Sequence, residues 1–155
     1  MQHHAMSSSI CEQFKQLCKW LLLSCVLCVS GNALAEQKKV LGNWDVHYIV
    51  FPTTTLTPEV ARANNIQRSK YKALINISVL DSKTLEAQDI DIQGNARNLL
   101  GNVFPLTFKQ VNEGQAIYYL ATVDFDNKEM LRFSIDITQG NTTRQLKFQQ
   151  TMYTD

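Results

Sequence analysis

Beyond Cys28 the chain has no cysteine. All four (Cys11, Cys18, Cys25 and Cys28) fall within the first 28 residues. The remainder therefore cannot form a disulfide, cannot build a thiolate zinc or iron–sulfur site, and has no thiolate nucleophile. Histidine is nearly as scarce. After His3 and His4 only His47 remains, which excludes an imidazole-rich metal centre. The six glycines form no phosphate loop, no dinucleotide fingerprint and no G-x-S-x-G elbow, so neither bound nucleotides nor a standard serine hydrolase is supported. A charge excess is also missing. Two of the fifteen basic residues and one of the fourteen acidic ones precede residue 36, which leaves thirteen of each. No like-charge run exceeds two residues, so nucleic acid is not expected as a partner.

What is present begins with a leader. Lys15 and Lys19 precede an apolar run from Trp20 to Val29, followed by Ser30-Gly31-Asn32 and then Ala33-Leu34-Ala35 before Glu36. A basic region, an apolar core and an A-x-A site describe a secretory signal peptide. The run is about half the roughly 20 residues a membrane span needs. Lipidation at Cys25, after Leu22-Leu23-Ser24, would leave Val26–Val29 at the new N-terminus and bypass the A-x-A site. The pair Cys25-x-x-Cys28 lies inside the apolar core and is not read as a redox motif. The expectation is a signal peptide over 1–35, cleavage between Ala35 and Glu36, and one exported, periplasmic domain over 36–155 with no stable membrane span after cleavage.

The exported part alternates with period two. Trp44, Val46, Tyr48 and Val50 share one face of a strand from Gly42 to Phe51, with Asp45, His47, Ile49 and Phe51 on the other. Pro52 ends it. Thr57-Pro58-Glu59 starts a short helix: a hydroxyl cap, a proline at the first position and an acid at the positive end of the dipole. It fades at Asn64-Asn65. Further strands are expected over Tyr71–Leu80, Leu85–Gln93, Val103–Val111, Ala116–Val123, Leu131–Thr138 and Arg144–Tyr153, with a single helical turn between Gly94 and Asn102. Pro105 argues that its strand is at an edge or bulged. Leu131, Phe133, Ile135 and Ile137 form the cleanest core face, opposite Arg132, Ser134, Asp136 and Thr138. About seven short strands and one short helix after the first strand predict a mostly β, antiparallel immunoglobulin-like sandwich, with an open barrel as the alternative.

Candidate chemistry is sparse. His47 and Asp45 lie two residues apart on one strand face, the spacing a base and its orienting acid would need for a hydrolase. The oxygen-rich loop Asp124–Glu129 lacks the D-x-D-x-D-G order of a calcium loop, and Lys128 opposes a cation there. No cofactor is implied. Tyr118 and Tyr119 must point to opposite faces, so one is core and the other is surface. Aromatic and Arg residues are enriched where partners bind, which marks Trp44, His47, Arg97 and Tyr118 as the expected interaction surface.

The segments Gly42–Tyr48, Leu56-Thr57-Pro58-Glu59-Val60-Ala61, Ala96-Arg97-Asn98-Leu99-Leu100-Gly101 and Ile117-Tyr118-Tyr119-Leu120 resemble a family of uncharacterised small exported proteins of proteobacteria, a domain of unknown function. The resemblance covers nearly all of the exported part. It implies a periplasmic location and a single β-rich domain, and it supplies no catalytic residues. The functional expectation is a non-catalytic binding module for a protein or peptide partner in the periplasm. A carrier with an apolar pocket between the sheets, and a hydrolase using His47 and Asp45, are the alternatives.

Overall fold

Three two-residue loops set the course of the chain: Gly42-Asn43, Gly114-Gln115 and Gly140-Asn141. Each opens on a glycine in the left-handed region (φ 68, 62 and 56°) and joins directly paired strand ends. Glycine at the first loop position is what a tight turn matching the right-handed twist of its strands requires. The computed structural model describes residues 37–154, so the expected leader and the Ala35–Glu36 cleavage site lie outside the described residues.

The described strands are β1 (Gln37–Leu41), β2 (Trp44–Pro52), β3 (Lys72–Asp81), β4 (Asp91–Asn98), β5 (Val103–Leu106), β6 (Lys109–Glu113), β7 (Ala116–Asp124), β8 (Glu129–Gln139) and β9 (Thr142–Met152). They form two antiparallel sheets. Sheet A has the order β1-β2-β3-β7-β6, and sheet B has the order β5-β4-β8-β9. A short 3-10 turn (Thr53–Thr55) and one helix, α1 (Pro58–Ala63), lie between β2 and β3. The hydroxyl of Thr57 accepts the Val60 N–H and Pro58 opens the helix, as the sequence predicts. Asn65 takes the left-handed conformation just after it (φ 58°).

The core lies between the sheets and is built by period-two alternation. Trp44, Val46, Tyr48 and Val50 of β2 face Leu131, Phe133, Ile135 and Ile137 of β8, with Ile75, Ile77, Val79 and Leu146 also fully or nearly fully buried. Aromatic rings bridge the layers. Phe148 lies 4.4 Å from Tyr48 of sheet A and stacks at 4.6 Å on Phe133 of sheet B. Polar ties reinforce this. The Gln150 amide donates to the Val50 carbonyl (2.9 Å), and the Tyr119 hydroxyl accepts the Ile90 N–H (2.9 Å) and donates to the Gln88 carbonyl (3.2 Å). Tyr119 is therefore the core member of the Tyr118-Tyr119 pair, and it pins the crossover from β3 to β4.

The sandwich and its antiparallel order agree with expectation; the strand count does not. Nine strands, not seven, are formed among the described residues, and α1 follows the second strand. The extra β1 is the lysine-bearing edge strand, exposed along most of its length and stitched to β2 through the Gly42-Asn43 loop. The expected strand Val103–Val111 is two strands in different sheets, because the chain leaves sheet B after Leu106 and enters sheet A at Lys109. Pro105 sits on the edge strand β5, where its missing N–H costs no ladder bond. The third expected strand begins later, at Asp91. Gly94–Asn98 continues it, so the helical turn expected from Gly94 is absent. Gly94 faces inward there because an added Cβ would meet the Ser134 carbonyl at 2.7 Å and Ile135 Cγ1 at 2.9 Å.

Candidate functional site: a cationic sheet face

The four residues expected to form one interaction surface are separated. Trp44 is buried on the inner face of sheet A. His47 lies on the outer face of that sheet, directly opposite Ser78 of β3 and Lys38 of β1. Tyr118 is on the same face, opposite Val111 of β6. Arg97 is on the other side of the molecule, on the outer face of sheet B. Asp45 does share a face with His47, but it is buried and its Oδ2 accepts from Lys38 Nζ at 2.9 Å, so its carboxylate is taken up by an ion pair. The accessible side of Trp44 opens on a depression of about 260 Å³ at the end of the sandwich, shared with Asp81, Gln88 and Arg144.

The register of sheet B creates a different site around Arg97. Residues directly opposite in an antiparallel pair share a face. Arg97 is opposite Arg132, Arg132 is opposite Gln149, Asn95 is opposite Ser134, and Ser134 is opposite Lys147. These six side chains form two adjacent rows across β4, β8 and β9. They line a depression of about 560 Å³ with Phe133 and Phe148 beneath it. Three cations thus converge on one surface, all exposed. No carboxylate among the described residues lies within ion-pair distance of any of them. The next carboxylate along β8, Asp136, accepts instead from the Gln145 amide at 2.9 Å. The face is therefore polarised, with cations towards the β4–β5 turn and Asp91 and Asp136 towards the opposite end.

This arrangement is unusual as pure architecture. Like charges directly opposite on a sheet destabilise it, and Arg97 opposite Arg132 is such a pair. Guanidinium groups present planar, bidentate donors suited to carboxylate or phosphate oxygens. The amide and hydroxyl groups of Asn95, Ser134 and Gln149 add donors and acceptors around them. Chemically the face can hold an anion.

The same end carries an ordered, apolar turn. Between β4 and β5 the chain reverses through Leu99-Leu100, closed by Gly101 in the left-handed region (φ 89°). Leu100 is 87% exposed, Leu99 62% and Val103 47%. Asn98 holds the turn in place. Its Oδ1 accepts the Asn102 N–H (2.9 Å) and its Nδ2 donates to Glu129 Oε1 (2.8 Å).

A family model described as a domain of unknown function, DUF4426, matches residues 38–155. The chain belongs to the DUF4426 family. Among solved structures it is similar to a DUF4426 family protein from Pseudomonas aeruginosa PAO1, with 34% identity over 77% of this chain and 96% of that one and a TM-score of 0.68. It is also similar in fold to FetP from uropathogenic Escherichia coli. A copper-bound FetP variant matches at 9% identity over 77% of this chain and 91% of that one, with a TM-score of 0.56. FetP as isolated after recombinant expression in the periplasm matches at 9% identity, 77% and 94% coverage and a TM-score of 0.53. At that identity the likeness is one of fold. A comparison with curated proteins gives no match. Among the described residues of this DUF4426 domain no three His, Cys, Asp or Glu side chains are grouped to hold a metal ion. No described helix is long and apolar enough to cross a membrane.

Of the residues that make the cationic face of this DUF4426 domain, the sequence singled out Arg97 alone. Arg132 and Ser134 stood out only as the polar side of a strand. What joins them is the pairing of β4 with β8, which local periodicity does not encode.

Proposed function

We propose that this chain is an exported, non-catalytic binding module that recognises anionic groups of a partner on the outer face of sheet B. Export rests on the basic, apolar and A-x-A order of residues 15–35. The observation that carries the binding role is the convergence of Arg97, Arg132 and Lys147 without a carboxylate among the described residues. Arg97 and Arg132 supply bidentate contacts to an oxyanion, Lys147 supplies a point charge, and Ser134 and Asn95 hydrogen-bond its remaining oxygens. Because the site is exposed, its affinity depends on ionic strength.

Calorimetric titration with tripolyphosphate and with a hexaglutamate peptide tests this at low and at physiological salt. The expected result is binding at low salt that weakens as salt rises and is lost in the double variant Arg97→Gln, Arg132→Gln. Absence of binding at low salt, or equal binding by the variant, overturns the reading.

A further inference from the structure

Four of the described large apolar side chains left in solvent gather around the cationic face. Leu99 and Leu100 form the β4–β5 turn. Val103 lies directly opposite Arg97 on the same face, and Tyr153 follows the end of β9 beside the start of β8. Such an exposed apolar group, rimmed by polar residues, marks an interaction site. Its position decides what kind. The apolar turn continues the strand that carries Arg97, so the same approach that brings an anionic surface onto Arg97, Arg132 and Lys147 also brings Leu99 and Val103 onto it.

We infer that the partner is a membrane surface rich in anionic lipid, which the domain touches peripherally through sheet B. In this arrangement the guanidinium groups lie among the phosphates. The Leu99-Leu100 turn enters the boundary between headgroups and acyl chains, where short apolar side chains gain burial while the flanking cations stay in the polar layer. The inference rests on the anion-binding reading and adds to it the apolar component, which a soluble anion would not require.

Two structural details fit. The turn is held by hydrogen bonds from Asn98 to Asn102 and to Glu129, so the leucines are presented on a fixed scaffold and cannot fold back onto the core without breaking them. Leu100 shares a depression with the carboxylates of Asp124, Asp126 and Glu129, of which Asp124 alone is ion-paired among the described residues. Asp124 is paired with Lys72, and Glu129 accepts from Asn98 and from the Asp126 N–H. Asp126 remains as an opposing charge and Lys128 lies two residues away from it. The opposite end of the face, with Asp91 and Asp136, carries the carboxylates away from the contact. An anionic lipid surface attracts each nearby Lys or Arg with about a fivefold gain in partitioning.

Sedimentation with vesicles tests the inference on protein expressed from the full-length chain. Two compositions are compared, pure phosphatidylcholine and a mixture of about seven parts phosphatidylcholine to three of phosphatidylglycerol, with tripolyphosphate titration run in parallel. The expected result is sedimentation with the anionic vesicles only. Leu100→Ser, at a site 87% exposed, removes the apolar group without adding charge; it reduces vesicle binding about tenfold or more and leaves tripolyphosphate binding intact. Arg132→Gln weakens both. Vesicle binding unchanged by Leu100→Ser, equal binding to neutral vesicles, or no vesicle binding beside intact tripolyphosphate binding overturns the membrane inference alone. Hexaglutamate binding without vesicle binding assigns an acidic protein partner in its place. Failure to bind any of the probes overturns the anion-binding reading as well.

Discussion

Arg132→Gln should make the fold more stable while it weakens binding. Arg97 and Arg132 are directly opposed across β4 and β8, so their Cβ atoms are about 5 Å apart and their flexible charged ends roughly 7 Å apart in solvent. Two unit charges at that distance in water repel by about 0.6 kcal/mol. Screening over a Debye length of about 8 Å lowers this to about 0.25 kcal/mol at physiological salt. Glutamine keeps most of the stem and the hydrogen-bonding end while removing the charge. The variant should therefore gain about 0.5 kcal/mol at low ionic strength and about 0.2 kcal/mol at 0.15 M, within the range measured for cross-strand pairs. With a urea slope of about 2 kcal/mol/M, the low-salt gain moves the unfolding midpoint up by about 0.25 M. Salt titration supplies the sharper check, since adding salt should stabilise the parent protein more than the variant. A lower midpoint in Arg132→Gln, or a gain independent of salt, would mean that the two guanidinium groups are not in repulsive proximity. The case for a face maintained for binding at the expense of stability would then fail.

Gly94→Ala should cost about 1–3 kcal/mol by overpacking, because its methyl would meet the Ser134 carbonyl and Ile135 Cγ1; an unchanged urea midpoint would contradict the close approach. Tyr119→Phe leaves the buried Ile90 N–H without its acceptor and should cost about 1–3 kcal/mol. Faster amide exchange at Ile90 is the accompanying signature, and its absence would show that the hydroxyl does not hold the crossover. Asn76 has a buried Oδ1 with no hydrogen-bond partner among the described residues, between Ile49 and Leu120 on neighbouring strands. Asn76→Leu should therefore raise stability by about 1 kcal/mol, and a loss would reveal a satisfied amide. The Asp81 carboxylate accepts the N–H groups of Thr84 and Lys83, which hold its pKa below the usual 3.8. Its stabilising contribution is present above that value and is lost as pH falls through the lower folded one. Asp81→Asn should thus flatten the acid side of the melting-temperature profile, and a parallel profile would count against the turn.

Much of the sandwich was legible because burial writes itself as alternation. β2, β3, β7 and β8 each place apolar residues at every second position facing the core, β9 does so at Leu146, Phe148 and Met152, and they fall where the pattern puts them. β1 was not legible from burial, since Gln37–Val40 is exposed on both faces. The available sign was the Gly42-Asn43 pair, a two-residue hairpin signal that lay inside an expected strand. β4 was displaced because Gly94-Asn95 looks like a loop, whereas its glycine is required by the closeness of β8. The cationic face was the least legible feature. Arg97, Arg132 and Lys147 are spread over fifty residues of sequence, and only register brings them together.

The passage of the chain from sheet B to sheet A across Thr107-Phe108 has a consequence for how the domain matures. Each sheet contains strands from separate parts of the chain: sheet A is complete only with β7, and sheet B only with β9. Until then the inner face of sheet A, with Trp44, Val46, Ile75 and Ile77, lacks its full cover, and β3 is paired on one side only until β7 arrives. Long-range strand pairing is slow and leaves apolar edges open to association. The folding chain must therefore remain unassociated until its last eleven-residue strand is in place. Truncations ahead of β8 should behave as aggregating fragments, not as smaller domains.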